Sequence, residues 1–307
     1  FADDCQDVLH EGHLDNHLRI CVEEGLDAVT AIRMATLNAA ECFDLKDRGA
    51  IAPGYRADVV LLDDLKDFHV NRVFIQGALV AEEGKYIPEI KRYDISTVKG
   101  SVIVKDFSAE KFKMHLKSNK VNVIKILPGG VVTAKDTAEI QLDEKGEFVR
   151  NPEEDIVKVA VVERHQGTGN VACGFLKGYG IKAGAVALSI AHDSHNIIVV
   201  GVSDEEMEFA VNSLIAQEGG MVLVKEGKVI ESMPMPIAGL MSDQSGEWVD
   251  EKLTAIHAKA YEELGIAGDV EPVMTLCFMS LAVIPEVKLT DMGLFDVTTF
   301  SFIPVEA

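Results

Sequence analysis

Basic residues are scarce in this 307-residue chain: 29 Lys and Arg stand against 50 Asp and Glu, a net charge of −21. Binding to a polyanion draws on cations that neutralise phosphate, so this balance argues against a nucleic-acid partner and against an anionic membrane surface. No apolar run approaches the roughly 20 residues needed to span a bilayer. Cysteine is sparse and poorly spaced for cross-linking. Cys5, Cys21, Cys42, Cys173 and Cys277 are odd in number and form no CxxC or CxxH. A disulfide framework or a structural zinc site is therefore not expected, and a reducing cytoplasm is. No GK[ST] follows Gly167-Thr168-Gly169-Asn170, which rules out a P-loop, and Gly178-Tyr179-Gly180 lacks the dinucleotide-binding spacing. Nor is a leader expected. The chain opens on Phe1-Ala2-Asp3-Asp4, which reads as part of something longer.

What is present is ordinary globular material, 48% hydrophobic and 26% charged, with a length that favours about two domains. Residues 14–43 read as two helices. Leu14, Leu18, Cys21 and Val22 share one face, Gly25 closes the first helix, and Asp27 caps a second carrying Ala28, Ile32, Ala35 and Ala39. Residues 57–63 read as a short buried strand, and residues 70–81 as a hairpin around Gly77. Beyond about residue 95 strands and helices alternate. Strands are expected at 101–104, 121–126, 131–135, 156–162 and 196–202. Ser203 with Glu206 signals a helix start, and Gly219-Gly220 its end. A hairpin is expected across Glu226-Gly227, then a helix over 247–264. The texture is α/β and α+β, with a boundary near residues 92–97.

Two sets of residues resemble known families. Thr36-Leu37-Asn38-Ala39-Ala40, Gly49-Ala50-Ile51-Ala52-Pro53-Gly54 and Ala57-Asp58-Val59-Val60 with Asp63 resemble the C-terminal end of amidohydrolase-superfamily enzymes. There the last barrel helix runs into a small β-sandwich. Val162-Glu163-Arg164-His165, Gly167-Thr168-Gly169-Asn170, residues 174–180, Ala191-His192-Asp193-Ser194-His195-Asn196, residues 236–242 and residues 284–291 resemble the C-terminal domain of the bacterial adenine deaminase family. The resemblance covers nearly the whole chain. It implies the end of a TIM-type barrel in residues 1–45, β-sandwich strands in 46–95 and an α+β C-terminal domain in 96–307. It also implies metal-dependent hydrolysis of adenine to hypoxanthine and ammonia in purine salvage, with Mn²⁺ or Fe²⁺ in a binuclear centre, and a homo-oligomer. The chain contains no HxH pair, which such a barrel needs on its first strand. A complete barrel takes about 250 residues, so an N-terminal barrel portion is expected as the partner of this chain, which alone should be inactive.

The resemblance selects Asp3 as metal ligand and catalytic proton carrier. A carboxylate at a barrel mouth can do both, and alternation along a strand keeps Asp4 out of the same mouth. His10-Glu11-Gly12-His13 reads either as a polar loop, from which Glu11 could contact a substrate edge, or as a helical pair of metal-facing histidines. His192, Asp193, His195 and Asn196 crowd the start of an apolar strand, and Glu163 and His165 follow the end of another. Imidazole beside carboxylate suits a proton relay or the support of a metal ligand. Equally, these groups can satisfy one another and nearby loops. If the two strand ends converge, they form one pocket wall closing over the barrel mouth. Two other functions stay open: a non-catalytic module that packs on or gates the barrel, and an amidohydrolase acting on another cyclic amide.

Overall fold

The computed structural model describes residues 5–307, which divide into two units between Tyr93 and Asp94. In the first unit, helices α1 (Cys5–His10), α2 (Leu14–Glu23), α3 (Ala28–Arg33) and α4 (Ala39–Cys42) precede a four-stranded antiparallel sheet. A π-helical turn, Met34–Asn38, joins α3 to α4. Gly25, at φ +99, follows α2, and the Asp27 carboxylate caps α3 by accepting from the Thr30 N–H at 2.9 Å. The sheet runs β1 (Val59–Leu62), β2 (Val70–Ile75), β3 (Ala78–Glu82) and β4 (Lys85–Tyr86), with β2 and β3 joined as a hairpin at Gly77.

This unit has almost no interior. Among its described residues only Ala31, Ala40 and Phe68 are buried hydrophobics. β1 is not the buried strand its Val59-Val60-Leu61-Leu62 run predicts, because its side chains are exposed or only half-covered. Phe43 and Ile51 stand 76% and 90% exposed. Apolar side chains left in water provide no stabilisation. Limited trypsin treatment should therefore remove the first unit early, cutting at the exposed Lys91 and Arg92, and leave a resistant fragment near 94–307 that mass spectrometry can weigh. Survival of both units for equal times would contradict this account.

The second unit is built on an eight-stranded mixed sheet. Its strands are β5 (Lys120–Ile126), β6 (Thr133–Glu139), β9 (Ile156–Val162), β10 (Val171–Lys177), β11 (Ala185–Leu188), β12 (Ile197–Gly201), β13 (Gly220–Lys225) and β14 (Lys228–Pro234), with β7 (Gln141–Leu142) and β8 (Phe148–Val149) forming a small side hairpin. The order is β14-β13-β11-β12-β9-β10-β5-β6. Only β10 and β5 pair in parallel; the other neighbours are antiparallel. Central β9 is buried along its whole length. Its Val157, Val159 and Val161 face one core while Ala160 and Val162 face another, so it reads as a near-continuous apolar run.

Helix α5 (Asp204–Ala216) covers the second face, capped by Ser203 Oγ, which accepts from the Glu206 N–H. Helices α6 (Gly246–Glu262) and α7 (Pro272–Phe278) cover the first, together with a three-stranded sheet, β15 (Val287–Thr290), β16 (Gly293–Asp296) and β17 (Ser301–Phe302). Residues 101–104 form no strand. Val102 and Val104 pack on the α5-side core, and the Ile103 N–H donates to the Arg164 carbonyl at 2.8 Å.

The fold class is thus mixed α/β with one large mixed sheet. In the first unit β1 to β4 form one antiparallel sheet. Among the described residues no helix is long and apolar enough to cross a membrane, and Cys21, Cys42, Cys173 and Cys277 are free thiols.

Candidate functional site

Strand register decides which loops meet. Val162 at the end of β9 pairs with Ile197 at the start of β12 and with Val171 at the start of β10. Leu188, closing β11, sits opposite Ile198 and Met221, and Gly220 pairs with Pro234. Residues 163–170, 189–196, 218–220 and 235–241 therefore gather at one end of the sheet. Glu163, His165, His192, Asp193, His195 and Asn196 all lie in two of these segments, so the structure brings them together.

Glu163 is turned inward on its own loop. Its carboxylate accepts from the N–H groups of His165 (2.5 Å), Gln166 (2.8 Å) and Thr168 (2.9 Å), and from the Thr168 hydroxyl (3.1 Å). Burial pushes its pKa up, but these donors more than offset that and hold it down at about 2. A carboxylate with that proton affinity and four donors organises a loop; it is not poised for proton transfer near neutral pH.

Arg164 is 1% exposed. Its Nε donates to the His195 carbonyl at 2.5 Å, Nη1 and Nη2 donate to the Ala238 carbonyl at 3.2 Å, and Nη2 reaches the Ser189 carbonyl at 3.5 Å. No carboxylate touches the guanidinium among the described residues. Burial accordingly lowers its pKa, opposed by the charge of Glu163. Its backbone is held as well, since the Arg164 N–H donates to Asn196 Oδ1 at 3.3 Å. Around it, Ser189 Oγ donates to the Gly239 carbonyl at 2.6 Å and accepts from the Gly220 N–H at 2.7 Å. Gly239, at φ +71, is a close approach: a Cβ there would lie 2.6 Å from Arg164 Nη1, so a larger residue would have to displace the guanidinium.

Four groups remain at the edge. His165 is exposed and its Nε2–H donates to the Ser194 carbonyl at 2.7 Å. Asp193 is exposed. The His192 N–H donates to the Cys277 carbonyl at 3.1 Å, its own carbonyl accepts from Ser280 Oγ at 3.2 Å, and its ring lies 5.1 Å from Phe278 and 5.5 Å from His195. His195 has φ +51, and its Nδ1 is out of water without a hydrogen-bond partner among the described residues. Burial lowers its pKa first, then the neighbouring His192 and the Arg164 charge; Asp193 and the Ile190 carbonyl oppose this in part. The imidazole is thus kept neutral, with a nitrogen able to accept or donate.

The first-unit candidates are placed otherwise. Asp3 lies outside the described residues. Glu11 is an exposed residue just after α1, and its carbonyl accepts from Arg19 at 3.3 Å. The ring facing His13 is that of His17, 5.9 Å away on α2. Among the described residues no three His, Cys, Asp or Glu side chains are disposed to hold a metal ion. Sequence reasoning missed Arg164 and Ser189 as parts of the site. Arg164 stood within a quoted motif, but Ser189 carried no local signal.

Two comparisons fix the class and then the family. Residues 3–80 match the amidohydrolase family. Residues 130–301 match the adenine deaminase C-terminal domain, and the chain belongs to the adenine deaminase family. It is 66% identical over its whole length to adenine deaminase 2 of Desulfotalea psychrophila, of which it covers 54%. It is 50% identical to adenine deaminase of Ligilactobacillus salivarius and 43% identical to that of Halalkalibacterium halodurans, covering 52% and 51% of those proteins. The chain spans about half the length of the curated relatives it matches.

Proposed function

We propose that this chain is the C-terminal half of an enzyme that hydrolyses adenine to hypoxanthine and ammonia. Identity running the full length of the chain to relatives that carry that activity's name supports this reading most strongly. In the reaction, water oxygen adds to C6 of the purine, the bond from C6 to the exocyclic nitrogen breaks, and that nitrogen leaves as ammonia. Within this reading the first unit completes a barrel built largely by an upstream portion, and its exposed apolar helices and strands are the surface that portion covers. Asp3 is the residue of this chain proposed to join a divalent metal, Mn²⁺ or Fe²⁺, whose other ligands lie upstream; such an ion supplies a hydroxide equivalent at neutral pH.

The second unit contributes the edge formed by His192, Asp193 and His195, which we place in the wall of the adenine pocket. Glu163, Arg164 and Asn196 shape that edge from beneath, and His165 pins it from the side. Salvage of purines in the cytoplasm is the setting that an acidic, thiol-bearing chain of this family fits.

The test uses the complete enzyme. Conversion of adenine is followed by ultraviolet absorbance, and His192→Ala and His195→Ala should each lower turnover on the order of 100-fold. Unchanged rates in both would remove the second unit from the pocket. The alternative, a purely structural module, draws support from the internal satisfaction of Glu163 and Arg164, and that same pair of variants decides between the two.

A further inference from the structure

Arg164 is the largest side chain sealed inside the protein, it carries a charge, and no ion pair compensates it among the described residues. Burying such a group is costly, and loop closure alone does not require a cation: a neutral donor could bond a carbonyl. What the guanidinium supplies is a planar fork that serves several acceptors at once. Here the three acceptors are the carbonyls of Ser189 and His195, at the two ends of one segment, and that of Ala238 from another. The shortest of these bonds falls on the carbonyl of His195, whose backbone is held in the left-handed region, a conformation a non-glycine residue keeps only when its surroundings impose it.

We propose that Arg164 is a positioning residue for His195. Its fork fixes the His195 backbone, and with it the direction of the imidazole at the pocket edge. This inference rests on the reading of His195 as pocket-lining. Rotation of the loop is resisted from both sides, since the His195 N–H donates to the Ala191 carbonyl at 2.6 Å while its carbonyl is gripped by Nε. The charge has a second effect, because it disfavours a proton on the neighbouring ring. The charged or titratable groups acting on that ring are His192 and Asp193 from its own loop and Arg164 from the end of β9. From neighbouring elements, His165 bonds the Ser194 carbonyl of the same loop, the Glu163 carboxylate is turned onto its own loop, and Cys277 of α7, whose thiol burial keeps neutral, accepts the His192 N–H at its carbonyl. Residues 235–241 bring none.

The first measurement is made on the 307-residue chain by imidazole NMR. In the wild type His195 should give one ring environment and titrate below the ordinary histidine value. In Arg164→Met its pKa should rise and its signal should broaden or split. Arg164→Lys keeps the charge but loses the fork, so it should retain the depressed titration and still show the broadened signal. An ordinary titration with a freely exchanging ring in the wild type overturns the proposal even if neither variant folds.

The second measurement is made on the complete enzyme. Arg164→Met should lose turnover on the order of 100-fold with KM changed less than about threefold, and adding it to His195→Ala should cost nothing more. Additive losses overturn the proposal. A wild-type enzyme that leaves adenine unchanged would defeat the functional reading, and the NMR result would still decide what Arg164 does to His195.

Discussion

Glu163→Ala should cost the unit 94–307 on the order of 3 kcal/mol at pH 7. The figure follows from a folded pKa of about 2 against 4.5 for the free side chain. A carboxyl whose folded pKa is depressed stabilises the fold fully above its unfolded pKa, and that stability drains away as pH falls from about 4.5 to about 2. The gap between the variant and the wild type should therefore narrow as pH falls below about 4.5 and close only at about pH 2 and below. Glu163→Gln should do no better than alanine. A carboxamide presents one acceptor oxygen and an NH2 to a nest of four donors, leaving N–H groups unmatched. Urea unfolding read by Trp248, the single tryptophan and one packed against the core of this unit, measures both points. A gap that persists undiminished at pH 3 would show that the carboxylate's charge is not what holds the loop.

Lys288→Met should act in the opposite direction and raise the stability of the same unit by about 1–3 kcal/mol at pH 7. Lys288, on β15, is 0% exposed, and its ammonium has one acceptor, the Val131 carbonyl at 2.8 Å. Burial alone lowers its pKa to about 8 from 10.5. The folded state thus gives up this proton before the unfolded state does. Between about pH 8 and 10.5 the unfolded chain binds more protons, so wild-type stability should climb with pH through that window, with the penalty in full force below it. Methionine keeps the stem's packing and removes the charge, at the loss of one hydrogen bond to Val131. The same Trp248 titration should show the alkaline rise in the wild type and not in the variant. Equal pH profiles would mean that water or a carboxylate reaches the ammonium in solution.

Local signals carried much of the fold. Asp27 and Ser203 mark helix starts because a short oxygen-bearing side chain there caps N–H groups that the helix leaves open. β9 and β12 stand out as apolar runs because both their faces are covered. The signal fails where packing overrides local pattern. Val102 and Val104 alternate like a strand but lie beside α5 with only Ile103 bonded to the sheet region. β10 and β11 are built from small residues such as Ala172, Gly174, Ala185 and Ala187, whose strand propensity is weak, so residues 171–177 and 185–188 carried little to mark them as strands. The site shows the same division. That residues 163–165 and 192–196 are polar strand ends was legible, but their meeting depends on the β12-β9 pairing, a long-range fact. Arg164 escaped notice because arginine is rarely buried. Nothing local announces that the Glu163 carboxylate accepts from the N–H groups of its own loop.

The second unit covers both faces of its sheet with material from its own sequence, whereas the first leaves its apolar side chains in water. Residues 94–307 thus keep a closed interior of their own, whereas residues 5–93 taken alone present apolar surface to water. Such a seam gives evolution a place to graft, trade or discard the downstream half without rebuilding its interior.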